Sequence, residues 1–302
     1  MRYKPLPKIK HSLAIATNTV RLYYLLSIAL AIFSIGTIKL RATIAQTTPQ
    51  SPTPDNSLPL PLIQATPLVQ ATSTLLGRSS YHTESEIEIS DRTSNTPISN
   101  ALIKTTVAAP NKFNSEISFV SDNELLDRKY QIVSDGVKVW IYDVAQNQYS
   151  VEEYQQFIES QSALAVGMLS NFYLKTLNSV NNNTVAVNTL KKLPPERSLR
   201  YFQKFANIDL QNMEIRNEQI ENTAYAVYDV EASDRTFEVT AYVAPQSANI
   251  ELIELSGKKN GLDLMVREKI ISQTVPESIP AELFSFVPSE DAEVTEQIAI
   301  EP

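Results

Sequence analysis

Apolar and polar residues alternate with a period of two through most of the chain from Glu84 to Thr274, and this alternation most constrains its fold. Glu84, Glu86 and Glu88 interleave with Ser85, Ile87 and Ile89, so one face of that segment is wet. Ala101 to Ala109 is a second strand, closed by Pro110-Asn111. In a third, Phe113, Ser115, Ile117 and Phe119 share one face, with Asn114, Glu116 and Ser118 on the other. Tyr130–Ser134 and Val137–Tyr142 flank Asp135-Gly136, a pair that favours the positive φ of a tight hairpin turn. Val139 to Tyr142 is apolar on both faces, which predicts cover on both sides. Further strands are expected at Ala224–Ala232, Thr236–Ala244, Asn249–Gly257, Leu262–Thr274 and, ending at Pro288, Ala281–Val287. About ten strands joined by tight turns imply an antiparallel sheet that curls to bury one face.

Three stretches depart from that period. Thr66 is placed to cap a short helix with Pro67 at its start, Leu68, Ala71, Leu75 and Leu76 on one face, and Gly77 at its stop. From Glu152 to Ser179, Tyr154, Phe157, Ile158, Ala165, Met168, Leu169 and Phe172 recur at helical spacing, with a break at Gly167. A weaker helix is expected at Leu199–Ala206. The class is therefore mainly β with helices (α+β), the helices interrupting the strand order where they can cap the open mouth of the sheet.

Charge is divided unevenly along the chain. All basic residues of the first 45 positions (Arg2, Lys4, Lys8, Lys10, Arg21, Lys39 and Arg41) lie where no Asp or Glu occurs. An uncharged apolar run of 17 residues spans Leu22 to Ile38, and Thr43-Ile44-Ala45 puts small side chains where a signal peptidase reads. Residues 1–45 are expected to be a signal peptide cut after Ala45; the alternative is an uncleaved anchor at 22–38. Basic residues are denser before the run, so either case places the remainder outside the cytoplasm. Residues 46–65 are rich in Pro, Thr and Gln and are expected to form a disordered linker. A folded domain over 66–294 and a tail over 295–302 complete the chain.

With those seven cations gone, 19 of the 26 Lys and Arg remain against 34 Asp and Glu, a formal charge of −15. Such a surface repels phosphate backbones, which argues against nucleic acid as a partner. The absence of cysteine excludes disulfides, thiolate metal sites and thiol nucleophiles. His82 lacks the companions a metal ligand needs, Ser134 has no histidine base in view, and Asp135 is a turn residue. No catalytic residue, metal or cofactor is expected, and the chain does not read as an enzyme.

Three segments carry a resemblance to a known family. Ala109-Pro110-Asn111-Lys112-Phe113 resembles a Pro-x-x-Phe strand start. Tyr130-Gln131-Ile132-Val133-Ser134-Asp135-Gly136-Val137-Lys138-Val139-Trp140-Ile141-Tyr142-Asp143 resembles a hairpin of the form "lvsDGk-lWiYd". Ile279-Pro280-Ala281-Glu282-Leu283-Phe284-Ser285-Phe286-Val287-Pro288 resembles a closing strand. Together, in patches over Pro67 to Val294, they resemble the LolA-like group of periplasmic lipoprotein carriers and their RseB-type sensor relatives. The resemblance implies a half-open antiparallel β-barrel with an apolar concave face and a helical lid over acyl chains. Those carriers place a lid-latching arginine directly after the Phe of the first word; here that residue is Asn114.

The residues expected to line the hollow are Phe113, Ile117, Phe119, Ile132, Val139 and Ile141, with Leu164, Met168, Leu169 and Phe172 from the lid. Methionine adapts to varied ligand shapes, which adds interest to Met168. The same spacing also describes ordinary core. The function expected is shielding of lipoprotein acyl chains or free lipid for transport to the outer membrane, with a membrane receptor or release partner possible. The alternatives are an envelope sensor that binds lipoproteins and a membrane partner, and a ligand-free structural protein.

Overall fold

The computed structural model describes residues 65–94, 96–120, 128–181, 213–231, 237–259 and 262–301. The expected signal segment, the expected linker as far as residue 64 and the helix expected at Leu199–Ala206 lie outside the described residues. Helix α1 (Thr66–Leu76) comes first, followed by strands β1 (Ser80–Asp91), β2 (Thr96–Ala108), β3 (Lys112–Val120), β4 (Lys129–Asp135), β5 (Lys138–Asp143) and β6 (Gln148–Glu153). Helix α2 (Tyr154–Glu159), a 3-10 segment (Gln161–Val166) and helix α3 (Met168–Asn181) follow. The chain then returns to strands in β7 (Glu214–Ile220), β8 (Thr223–Glu231), β9 (Phe237–Ala244), β10 (Asn249–Lys259) and β11 (Leu262–Thr274). A second 3-10 turn (Ala281–Phe284) and a two-residue strand, β12 (Glu293–Val294), end it.

All twelve strands form one sheet in the order β12-β6-β5-β4-β3-β2-β1-β11-β10-β9-β8-β7. Neighbours are antiparallel except β12, which runs parallel to β6. The order is open: β7 and the β6–β12 end do not meet, so the sheet is an unclosed barrel. Antiparallel strands in sequence order build each half, and the long β1–β11 ladder joins them, from His82 opposite Thr274 to Asp91 opposite Leu264. At the Asp135-Gly136 hairpin, Asp135 Oδ1 accepts the N–H groups of Val137 and Lys138, each at 2.8 Å, and Gly136 takes φ +98°.

Alternation sorts side chains as the period requires. Tyr81, Thr83, Ser85, Ile87 and Ile89 of β1 point inward, while Glu84, Glu86 and Glu88 face outward. Val139 and Ile141 of β5 point inward; Trp140 and Tyr142 point outward beneath the C-terminal segment. That segment crosses the outer face of β3 to β6. The Asn114 amide donates to Leu283 O at 2.8 Å, and Phe286 lies 6.3 Å from the Trp140 ring, 5.8 Å from Tyr142 and 5.4 Å from Tyr149. Beyond β12, Ile298 and Ile300 return to the inner apolar cluster, and the Glu301 N–H donates to Tyr130 Oη.

Several expectations need correction. The closing strand at Ala281–Val287 is a 3-10 turn followed by irregular chain, because side-chain docking on the outer face fixes it rather than a ladder. The strand count itself agrees with the about ten expected, with twelve among the described residues, but their bounds differ in places. β6 occupies residues through Glu153, where helix was expected from Glu152, and β7 and β12 are additional. Thr66 caps nothing: α1 begins at it, Ala65 holds the cap position without a side-chain bond, and Gly77 stays in the right-handed region.

Candidate functional site

Helices α1, α2 and α3 and the intervening 3-10 segment cover the concave face, and most apolar side chains between them and the sheet form one large cluster, with Val69 of α1 in a small separate one beside β7. Phe113, Ile117, Phe119, Ile132, Val139 and Ile141 enter it from the sheet, and Leu164, Met168 and Leu169 from above. Phe172 packs on its margin, partly exposed. Period-two and period-3.6 patterning thus brings all ten together. Phe113 meets the lid directly, its ring 5.5 Å from Phe157 and 6.5 Å from Tyr154. Phe119 packs edge-on against Tyr130 at 6.2 Å. In the closed arrangement these are contacts between packed side chains: Phe113, Ile132 and Val139 are 0% exposed.

A polar band crosses this apolar face. The β1–β2–β3 register sets Thr83 opposite Thr105 and Thr105 opposite Ser115, all three buried. Thr105 Oγ1 donates to Val166 O at 2.9 Å and shares a 2.8 Å hydrogen bond with Ser115, whose hydroxyl also reaches Ala165 O at 3.4 Å. The strands therefore hold the lid by its backbone carbonyls. Tyr173 adds a hydroxyl bond of 2.6 Å to Arg78 O, just after α1, and its ring meets Tyr81 edge-on at 4.9 Å.

Glu268 is the fully buried acid of this band. It lies on β11 opposite Ile87 of β1 and Ile253 of β10, so the strand period sends its carboxylate inward among apolar neighbours. Ser85 Oγ donates to Oε1 at 2.8 Å, and the Leu169 N–H donates to Oε2 at 2.9 Å, with the Met168 N–H also directed to the carboxylate. These two amides are the first of α3, where a helix leaves N–H groups unpaired and its dipole favours negative charge. Burial pushes the carboxyl above its ordinary range, while the Leu169, Ser85 and Met168 donors pull the other way without cancelling it. Gly167 makes the approach possible: at φ +88°, a Cβ there would stand 2.6 Å from Oε1.

The polar band escaped the sequence reading, although β11 carried a signal. Leu264, Val266, Glu268 and Ile270 share one face of that strand, and an acid on an apolar face calls for a partner. Asn114 sits on the opposite side of the sheet from the lid and binds the C-terminal segment, so the lid is held without it.

No family model and no curated protein matches the chain. Solved structures found similar to the chain include LprF from Mycobacterium bovis, at 11% identity and a TM-score of 0.39, covering 72% of this chain and 96% of that one. A LolA superfamily protein from Nitrosomonas europaea matches at 12% identity and a TM-score of 0.31, covering 72% and 97%. MucB, in the MucA/MucB complex of Pseudomonas aeruginosa, matches at 10% identity and a TM-score of 0.32, covering 73% and 60%.

Proposed function

We propose that the protein is exported to the periplasm and that its folded domain shields acyl chains of lipoproteins or lipids between the concave sheet and the lid. The large apolar cluster between sheet and lid supports this reading, because the two sides come from separate elements. If α2, the 3-10 segment and α3 lift together, Phe113, Ile117, Phe119, Ile132, Val139 and Ile141 become an apolar lining crossed by the Thr83–Thr105–Ser115 band. Each acyl methylene buried there contributes about 0.8 kcal/mol, enough over one chain to offset the ordering costs of binding. A few hydrogen bonds across the polar band hold the lid, which suits a cover that opens. Delivery to the outer membrane and release to a membrane receptor extend the same proposal.

A second reading takes support from the near-zero exposure of those lining residues. In it the cluster stays filled, and the chain is a structural envelope protein without ligand. The test is mass spectrometry of solvent extracts from the exported chain, purified without detergent. Lipid at about one equivalent is expected. A folded, lipid-free protein that also rejects an added fluorescent fatty acid moves the case to the structural reading.

A further inference from the structure

We propose that Glu268 is the latch of the lid: its carboxylate grips the N-terminus of α3 from strand β11, and release of that grip opens the concave face. The geometry has three parts. Oε2 takes the Leu169 N–H, Oε1 takes the Ser85 hydroxyl, and the Met168 N–H points to the same carboxylate, so one buried side chain ties α3 to two central strands. Gly167 leaves room for this approach and no more, since any Cβ would meet Oε1 at 2.6 Å. Thr105 and Ser115 grip the carbonyls of Val166 and Ala165 just before α3, so the two sets of bonds bracket the 3-10-to-α3 junction.

The bonds are unequal in kind. Each hydroxyl bond to a carbonyl ties one group, whereas the Glu268 carboxyl accepts the Ser85 hydroxyl and the first, otherwise unpaired, amides of α3 at once. Glu268 is also the grip with no local alternative. An open lid exposes its carboxylate to water and frees the first amides of α3 together, so closing and opening are two discrete arrangements of one junction. That ligand reaches the face through this opening rests on the acyl-chain reading; the latch itself is read from the lid alone.

Hydrogen exchange of the full chain, followed by mass spectrometry, reads it directly. Glu268→Met keeps length and apolar fit but removes the acceptors. Lid peptides over residues 161–181 are expected to exchange about tenfold faster, while peptides of β2 and β3 stay within about twofold of wild type. Glu268→Gln, which retains one carbonyl acceptor and can donate to Ser85, is expected to restore most of the protection. Unchanged lid exchange in Glu268→Met, or equal acceleration of lid and sheet, overturns the latch. If Glu268→Met does not fold, Ser85→Ala leaves the carboxylate in place and removes its side-chain donor; lid exchange then rises by a few fold or the proposal fails. Fatty-acid uptake by the same variants separates the two claims. A loosened lid with no uptake in any variant leaves the latch standing and removes the acyl-chain reading.

Discussion

Gly167 shows how much one residue settles at this site. Its φ of +88° is open to glycine and strained for any other L-residue, and the Glu268 carboxylate occupies the space a Cβ would take. Gly167→Ala therefore meets both backbone strain and a contact that cannot relax without moving α3 or the carboxylate. A loss of about 1–3 kcal/mol is expected in denaturant unfolding, with lid amides losing protection first. Unchanged stability would mean that the 3-10-to-α3 junction is more adaptable than this geometry. At the same scale the sequence was half legible. The apolar members of the site followed from spacing, since burial of Phe113, Ile132 or Met168 needs only the right face. Glu268, Thr105 and Ser115 did not, because a polar residue on an inner face acquires meaning only from a partner distant in sequence: Ser85 and Glu268 are 183 positions apart.

The lid is the element whose behaviour the latch governs, and pH is the simplest handle on it. Burial raises the Glu268 pKa in the closed state, and an opened lid returns the group to the ordinary carboxylate value. The closed state thus binds the proton more tightly. The proton-linked part of closure is complete below the ordinary value and is lost as pH rises through the raised, closed-state value. Among the ionisable side chains around Glu268 on β1, β10, β11 and α3, the Tyr81 phenol senses its charge, and burial keeps that phenol neutral. Lys175 of α3 is lowered to about 8 by its own burial, so the Glu268→Gln control is what separates its titration from that of the carboxyl. Lid exchange, corrected for intrinsic chemistry, is expected to quicken across this interval in wild type and to stay flat in Glu268→Gln; equal slopes would locate the titration elsewhere. Element type was legible where an element is long. It failed at short segments such as Gln148–Glu153 and Ala281–Phe284, where few residues fit either period and docking decides the outcome.

Across the whole molecule the decisive property is that the sheet is open, so its inner face depends on helices for cover. The strand alternation and hairpin turns forecast this, but not the C-terminal segment that wraps the outer face and returns Ile298 and Ile300 to the cluster. An open sheet with a separable lid responds differently from a closed core to a buried charge. Phe113→Glu places a carboxylate where Phe157 and Tyr154 of α2 now pack. An unpaired charge there costs several kcal/mol, and the chain relieves it by the least expensive route that brings water to the group. For a lidded sheet that route is local opening, which breaks few bonds; for a permanently filled core it is global unfolding. The expected outcome is a retained strand signal in circular dichroism, fast exchange over residues 154–181 and loss of fatty-acid uptake. Collapse of the strand signal along with the lid would show that sheet and lid fold as one unit, and the carrier reading would fall with it.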